Sequence, residues 1–138
     1  MNILLDINVI LDVLQKRDGH YDHAAKVISL CTGKLVNGYI SAISFGTLHY
    51  VLSKAVGKTR ALSALKKIRA ITSVAAVDGE TIDLALASHF ADFEDAIQYY
   101  SAVRNGLDRI ITRNKKDFSK AKLIVSTPEE FLAMFTGA

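Results

Sequence analysis

Three short stretches of this 138-residue chain hold the residues that could do chemistry. Asp6 closes an apolar run over residues 1–5 and is followed by Ile7-Asn8, where a helix opens. A carboxylate at such a junction either caps the turn and helix or faces outward as an oxygen ligand for a hard cation. The second stretch, Ala91-Asp92-Phe93-Glu94-Asp95-Ala96, sets three carboxylates ahead of a helix with the apolar stripe Ala96, Ile97, Tyr99, Tyr100, Val103. Asp92 suits the N-cap, while Asp95, three residues on, either closes a capping box or faces the strand tips. Three acids exceed what capping needs. Because like charges repel, the cluster implies either full solvation or a bound cation. The third stretch, Ile110-Ile111-Thr112-Arg113-Asn114-Lys115-Lys116-Asp117-Phe118, runs from a strand into a basic loop. Taken alone it is an ordinary loop; taken with Asp6 and Asp95 it adds a third set of oxygens at one sheet edge.

The elements that must position these residues are short and alternate. Apolar, β-prone runs cover residues 1–5, 39–41, 73–77, 109–112 and 122–125. Between them, apolar residues recur at three- and four-residue intervals over 9–15, 21–31, 43–54, 58–71, 80–90, 96–105 and 129–135, which predicts helices. Asp78 can cap the fifth helix, Gly106 can stop the sixth, and Thr127-Pro128-Glu129-Glu130 reads as a helix start. Such alternation predicts an α/β fold with a mostly parallel sheet covered on both faces. Function in such sheets sits at the carboxyl ends of strands, hence at Asp6 and at Arg113-Asn114.

Composition narrows the remaining classes. Half the residues are apolar and 22% are charged, enough for one core over residues 1–138 without disulfides. Cys31 is the lone cysteine and reads as a small buried hydrophobe. No run approaches the roughly 20 apolar residues of a membrane span, and residues 1–8 show no basic, apolar leader, so a reducing cytoplasm is the expected location. The net charge of +3 hides segregation: residues 23–77 contain no acid, acids gather over 78–95, and seven cations fall within 104–122. This pattern suits a polyanion held beside a metal site, or equally a set of solvated helix faces. His20 and His23 read as a surface pair without a cysteine to join them, and Gly57-Lys58-Thr59 lacks the upstream glycine of a phosphate loop.

The strand-Asp6-Ile7-Asn8 opening, Asp92-Phe93-Glu94-Asp95-Ala96, and Thr112-Arg113-Asn114-Lys115-Lys116-Asp117-Phe118, in that order and spacing, resemble the PIN-domain family over nearly the whole chain. The resemblance implies a three-layer α/β/α sandwich around a five-stranded, mostly parallel sheet. It further implies acids gathered around Mg²⁺ or Mn²⁺ and cleavage of single-stranded RNA, often as the toxin of a toxin–antitoxin pair. On this resemblance Asp6 matches the first metal-binding acid and Asp95 the third. Asn114 matches the fourth position, with Asp117 as a further oxygen donor, so that Asp6, Asp95 and Asp117 are the expected metal ligands. Asn8 and Thr112 match polar positions beside the site, and Arg113, Lys115 and Lys116 are expected to hold the substrate strand. An antitoxin partner and a homodimer are implied as well. One element departs from the pattern: Thr47, or Gly46 one residue earlier, occupies the place of the second acid, and residues 40–48 contain no carboxylate. Two expectations follow, a metal-dependent endoribonuclease and, alternatively, a weak or inactive module that binds RNA or a protein partner. Glu94, Asp92 or Asp117 could supply the missing charge.

Overall fold

Ile3 and Leu5 turn to one side of the first strand, β1 (Asn2–Leu5), and Leu4 to the other, all fully buried, so this strand needs cover on both faces. A computed structural model, which describes residues 1–136, supplies that cover. The chain runs β1, α1 (Ile7–Leu14), α2 (Tyr21–Thr32), β2 (Asn37–Ser41), α3 (Ala42–Val56), α4 (Lys58–Ala70), β3 (Ser73–Ala75), α5 (Gly79–Leu86), α6 (Phe93–Arg104), β4 (Arg109–Ile111), a 3-10 turn (Lys115–Phe118), β5 (Ile124–Ser126) and α7 (Pro128–Thr136). Five strands, all parallel, form one sheet in the order β3-β2-β1-β4-β5. Ile3, Leu5, Ile40 and Ile111 pack under α1, α2, α3, α4 and α7. Leu4, Ala75 and Ile110 pack under α6, and α5 packs against α6 through Ala85, Ala96 and Ile97. The three-layer α/β/α architecture is therefore as expected. None of the helices among the described residues is long and apolar enough to cross a membrane.

Where boundaries differ from the sequence periodicity, local hydrogen bonds explain the difference. The fifth helix stops at Leu86 rather than at 90: Ser88 Oγ donates to the Ala85 carbonyl at 2.8 Å, closing the last turn. Phe90 then leaves the helical path and stacks on Tyr99 with ring centroids 5.2 Å apart, beside Tyr100 and Phe118. The sixth helix starts at Phe93, three residues earlier than its apolar stripe, because Asp92 accepts from the Asp95 amide at 2.9 Å. It ends before Gly106, whose φ of +69° only glycine adopts without strain. Residues 115–118, read as loop, form the 3-10 turn that seats Phe118 in the core. The two remaining caps form as expected. Asp78 and Thr81 make a reciprocal capping box, and Thr127 exchanges bonds with Glu130 at 2.9 and 3.1 Å.

Candidate metal centre

The strand order reverses direction between β1 and β4, and such a switch point opens a crevice at the carboxyl ends of the strands. Asp6 leaves β1 there, its amide still bonded to the Ile111 carbonyl of β4 at 3.0 Å. Its side chain makes no helix-capping bond, which removes one of the two sequence readings. Instead Oδ2 accepts from Thr112 Oγ1 at 2.8 Å and Oδ1 from Gln98 Nε2 at 3.0 Å, with the residue 4% exposed. Burial pushes the Asp6 carboxyl above its usual range, and the Gln98 and Thr112 donors oppose that shift. Thr112 is held in turn, since its hydroxyl accepts from the Asn114 amide at 3.1 Å.

Asp95 arrives from the other side of the crevice on the first turn of α6. The same Gln98 Nε2 lies 3.4 Å from its Oδ1, so one side-chain amide touches two carboxylates that are 89 positions apart (95 minus 6) in the sequence. Burial, then the charges of Asp92, Asp6, Asp117 and Glu94, raise the Asp95 pKa to about 7. Five acids thus share one electrostatic neighbourhood. A cleft beside it is lined by His89, Asp92, Asp95, Lys116, Asp117 and Lys120.

The donors facing this neighbourhood are oxygens, the set that suits Mg²⁺ or Mn²⁺. Among the described residues no three His, Cys, Asp or Glu side chains surround a common point as a ready-made cage. What occupies the gap between Asp6 and Asp95 is the Gln98 amide, whose Nε2 donates to both while its buried Oε1 has no partner. An amide N–H₂ between two carboxylates does part of what a cation would do there, and the orphaned oxygen is an acceptor in want of a positive group. On the α3 side, Thr47 Oγ1 donates to Glu94 Oε1 at 2.9 Å.

The other residues singled out in the sequence divide. Asn8 lies half-buried in the first turn of α1, two residues from Asp6. Of the three cations expected at the substrate, Lys116 alone lines the cleft. Arg113 directs its Nε to Asp12 at 3.0 Å, and Lys115 pairs with Glu130 at 3.2 Å. The sequence reading missed Gln98 and Asp12. Gln98 carried a signal, an amide one turn after Glu94 and Asp95 and so on the same helix face as both acids. Asp12 carried one too, as the single charge in Ile7–Leu14. Of the side readings, Cys31 is buried as expected, Tyr99 is buried with Tyr100 at its rim, and His20 and His23 lie at the mouth of a separate cleft with Asp12 and Arg113.

Residues 2–116 match the family model described as the PIN domain. The chain is 28% identical over 134 residues to Ribonuclease VapC1 of Aquifex aeolicus (strain VF5), covering 94% of this chain and 92% of that one. In fold it is similar to VapBC2 from Rickettsia felis, solved bound to a DNA fragment from its promoter, with a TM-score of 0.72 at 19% identity over 92% of this chain and 98% of that one. A toxin–antitoxin complex from Klebsiella pneumoniae is similar with a TM-score of 0.69 at 22% identity, covering 91% and 97% of the respective chains.

Proposed function

The chain belongs to the PIN-domain family, and on that premise we propose that it is a metal-dependent endoribonuclease acting on single-stranded RNA, the toxin of a toxin–antitoxin pair. The single observation that carries the reading is the convergence of Asp6 and Asp95 on one Gln98 amide at the β1–β4 switch point. The relative named as a ribonuclease supports the reaction class, and the Rickettsia and Klebsiella toxin–antitoxin complexes support an antitoxin partner.

Asp6, Asp95 and Asp117 would hold Mg²⁺ or Mn²⁺, with Asn114 beside them. When bound, such an ion supplies Lewis acidity and a water of lowered pKa. The chain's own residues do the rest. Thr112 and Asn114 keep Asp6 aimed out of the sheet edge. Lys116 and Lys120, on the wall of the cleft, offer cations to a phosphodiester backbone, giving binding that weakens as salt rises. Asn8 is the polar neighbour of Asp6 on the α1 side. The guanidinium of Arg113 and the ammonium of Lys115 serve chiefly to hold the loop between β4 and β5, being paired with acids on α1 and α7.

The test is Asp95→Asn in the full chain. Asn keeps the size of the side chain and removes its charge, so the expected result is loss of Mn²⁺-dependent cutting of single-stranded RNA with an unchanged circular dichroism spectrum. Undiminished cutting by this variant ends the assignment. The alternative, an inactive binding module, is motivated by Thr47; it predicts RNA binding by the wild-type chain with no Mn²⁺-stimulated cleavage. Antitoxin control and a homodimer are read together with the toxin assignment. They are checked by co-purification with the product of the neighbouring reading frame and by the mass in solution.

A further inference from the structure

The family places an acid on α3 where this chain has Thr47, and the structure shows what Thr47 does instead. Its hydroxyl donates a 2.9 Å hydrogen bond to Oε1 of Glu94, on the first turn of α6. Glu94 lies four residues before Gln98, so the two share a helix face, and Gln98 is the side chain that meets Asp6 and Asp95. Of the three acids able to make up the missing charge, Asp92 has its Oδ1 engaged in capping α6, and Asp117 comes from the turn after β4. Glu94 alone reaches α3.

We propose that Glu94 supplies to the metal centre the carboxylate that α3 lacks, with Thr47 as the hydroxyl that holds it in place. The inference rests on the reading of Asp6 and Asp95 as metal-binding acids. A first-turn glutamate could serve only the helix dipole, but that role works at full exposure and needs no partner on another helix. Glu94 is half-buried, is bonded across to α3 and makes no salt bridge among the described residues. The exchange is economical in sequence terms, since the acid moves from one wall of the gap between α3 and α6 to the other.

The experiment is a Mn²⁺ titration of the full-length protein, with free ion read by its electron paramagnetic resonance signal and no substrate present. Glu94→Gln keeps an oxygen acceptor for Thr47 and removes the charge. A unit charge opposing a divalent cation through water-like surroundings is worth about tenfold in affinity, and a loss of that size is expected. The swap Thr47→Glu with Glu94→Gln, which returns the acid to α3, is expected to recover most of it. Thr47→Val, which frees Glu94 without altering charge, is expected to weaken binding by about threefold, and it keeps the test decisive if Glu94→Gln folds poorly. Mn²⁺ affinity equal to wild type in Glu94→Gln and in Thr47→Val, with Asp95→Asn defective, overturns this proposal and leaves the metal centre standing. A swap that recovers nothing overturns the equivalence of the two positions. A wild-type chain that binds no Mn²⁺ sinks the metal centre and Glu94 with it.

Discussion

Arg113→Ala separates a structural cation from one that grips substrate. Asp12 on α1 is 1% exposed in its side chain; its Oδ2 accepts from Arg113 Nε at 3.0 Å, while its Oδ1 has only Arg17 at 3.6 Å, beyond hydrogen-bond reach. Removing the Arg113 guanidinium leaves a carboxylate in the core facing one distant cation. Breaking one side of a buried pair costs about 3–5 kcal/mol. Arg113 is 28% exposed and Arg17 compensates in part, so the lower end applies, about 3 kcal/mol, or roughly 10 °C of melting temperature for a chain of this size. Asp12→Ala costs less, about 1–2 kcal/mol, because the guanidinium left behind regains water. The double variant is more stable than Arg113→Ala alone, since no buried charge is orphaned. Urea unfolding followed by circular dichroism measures all three. Stability of Arg113→Ala within about 0.5 kcal/mol of wild type, together with weakened RNA binding, refutes the pairing argument and returns Arg113 to the substrate.

Two further predictions concern the packing of α2 on β2. A Cβ built on Gly38 would lie 2.6 Å from Cys31 Sγ and 3.2 Å from Leu5 Cδ1, so Gly38→Ala is expected to destabilise by about 1–3 kcal/mol, with much of the loss regained when Cys31→Ala is added. Additivity of the two substitutions in thermal melts would contradict this. Burial pushes the Cys31 thiol from 9.0 up to about 11. Between those values the unfolded chain releases a proton that the folded chain keeps. The thiol's contribution is therefore complete below pH 9 and is lost as pH rises through 11, a slope that Cys31→Ala removes. At pH 8 alkylation of Cys31 is expected to follow the rate of unfolding, and rapid labelling of the folded chain would show the thiol to be accessible.

Much of the fold was legible because the central strands β1 and β4 are buried on both faces and their apolar runs stop at chemically distinct residues. Asp6 after Leu5 marks the end of β1, and Thr112-Arg113-Asn114 marks the end of β4. Caps were legible for the same local reason: Asp78, Asp92 and Thr127 bond to amides within three residues of themselves. Contacts that join distant segments were not. The Thr47–Glu94 bond links residues 47 positions apart, and the Asp12–Arg113 pair links residues 101 apart. The family resemblance puts Arg113 at the substrate, yet its partner is a buried acid, the single charge in an otherwise apolar α1. The 3-10 turn at 115–118 escaped because Lys115-Lys116-Asp117 has no apolar period to announce it; only Phe118, drawn into the core, sets its shape.

The strand order sets when the surroundings of Asp6 can form. β1 precedes β2 in the chain, but its other neighbour in the sheet is β4, and Thr112, which bonds Asp6, is 106 residues downstream. A ribosome that has released β1 through α5 has exposed the first acid with none of its companions. Asp6 meets Thr112 only after the β4 segment has emerged and paired with β1. A chain released before α6 carries the Asp6 carboxylate without the Thr112 and Gln98 donors that hold it.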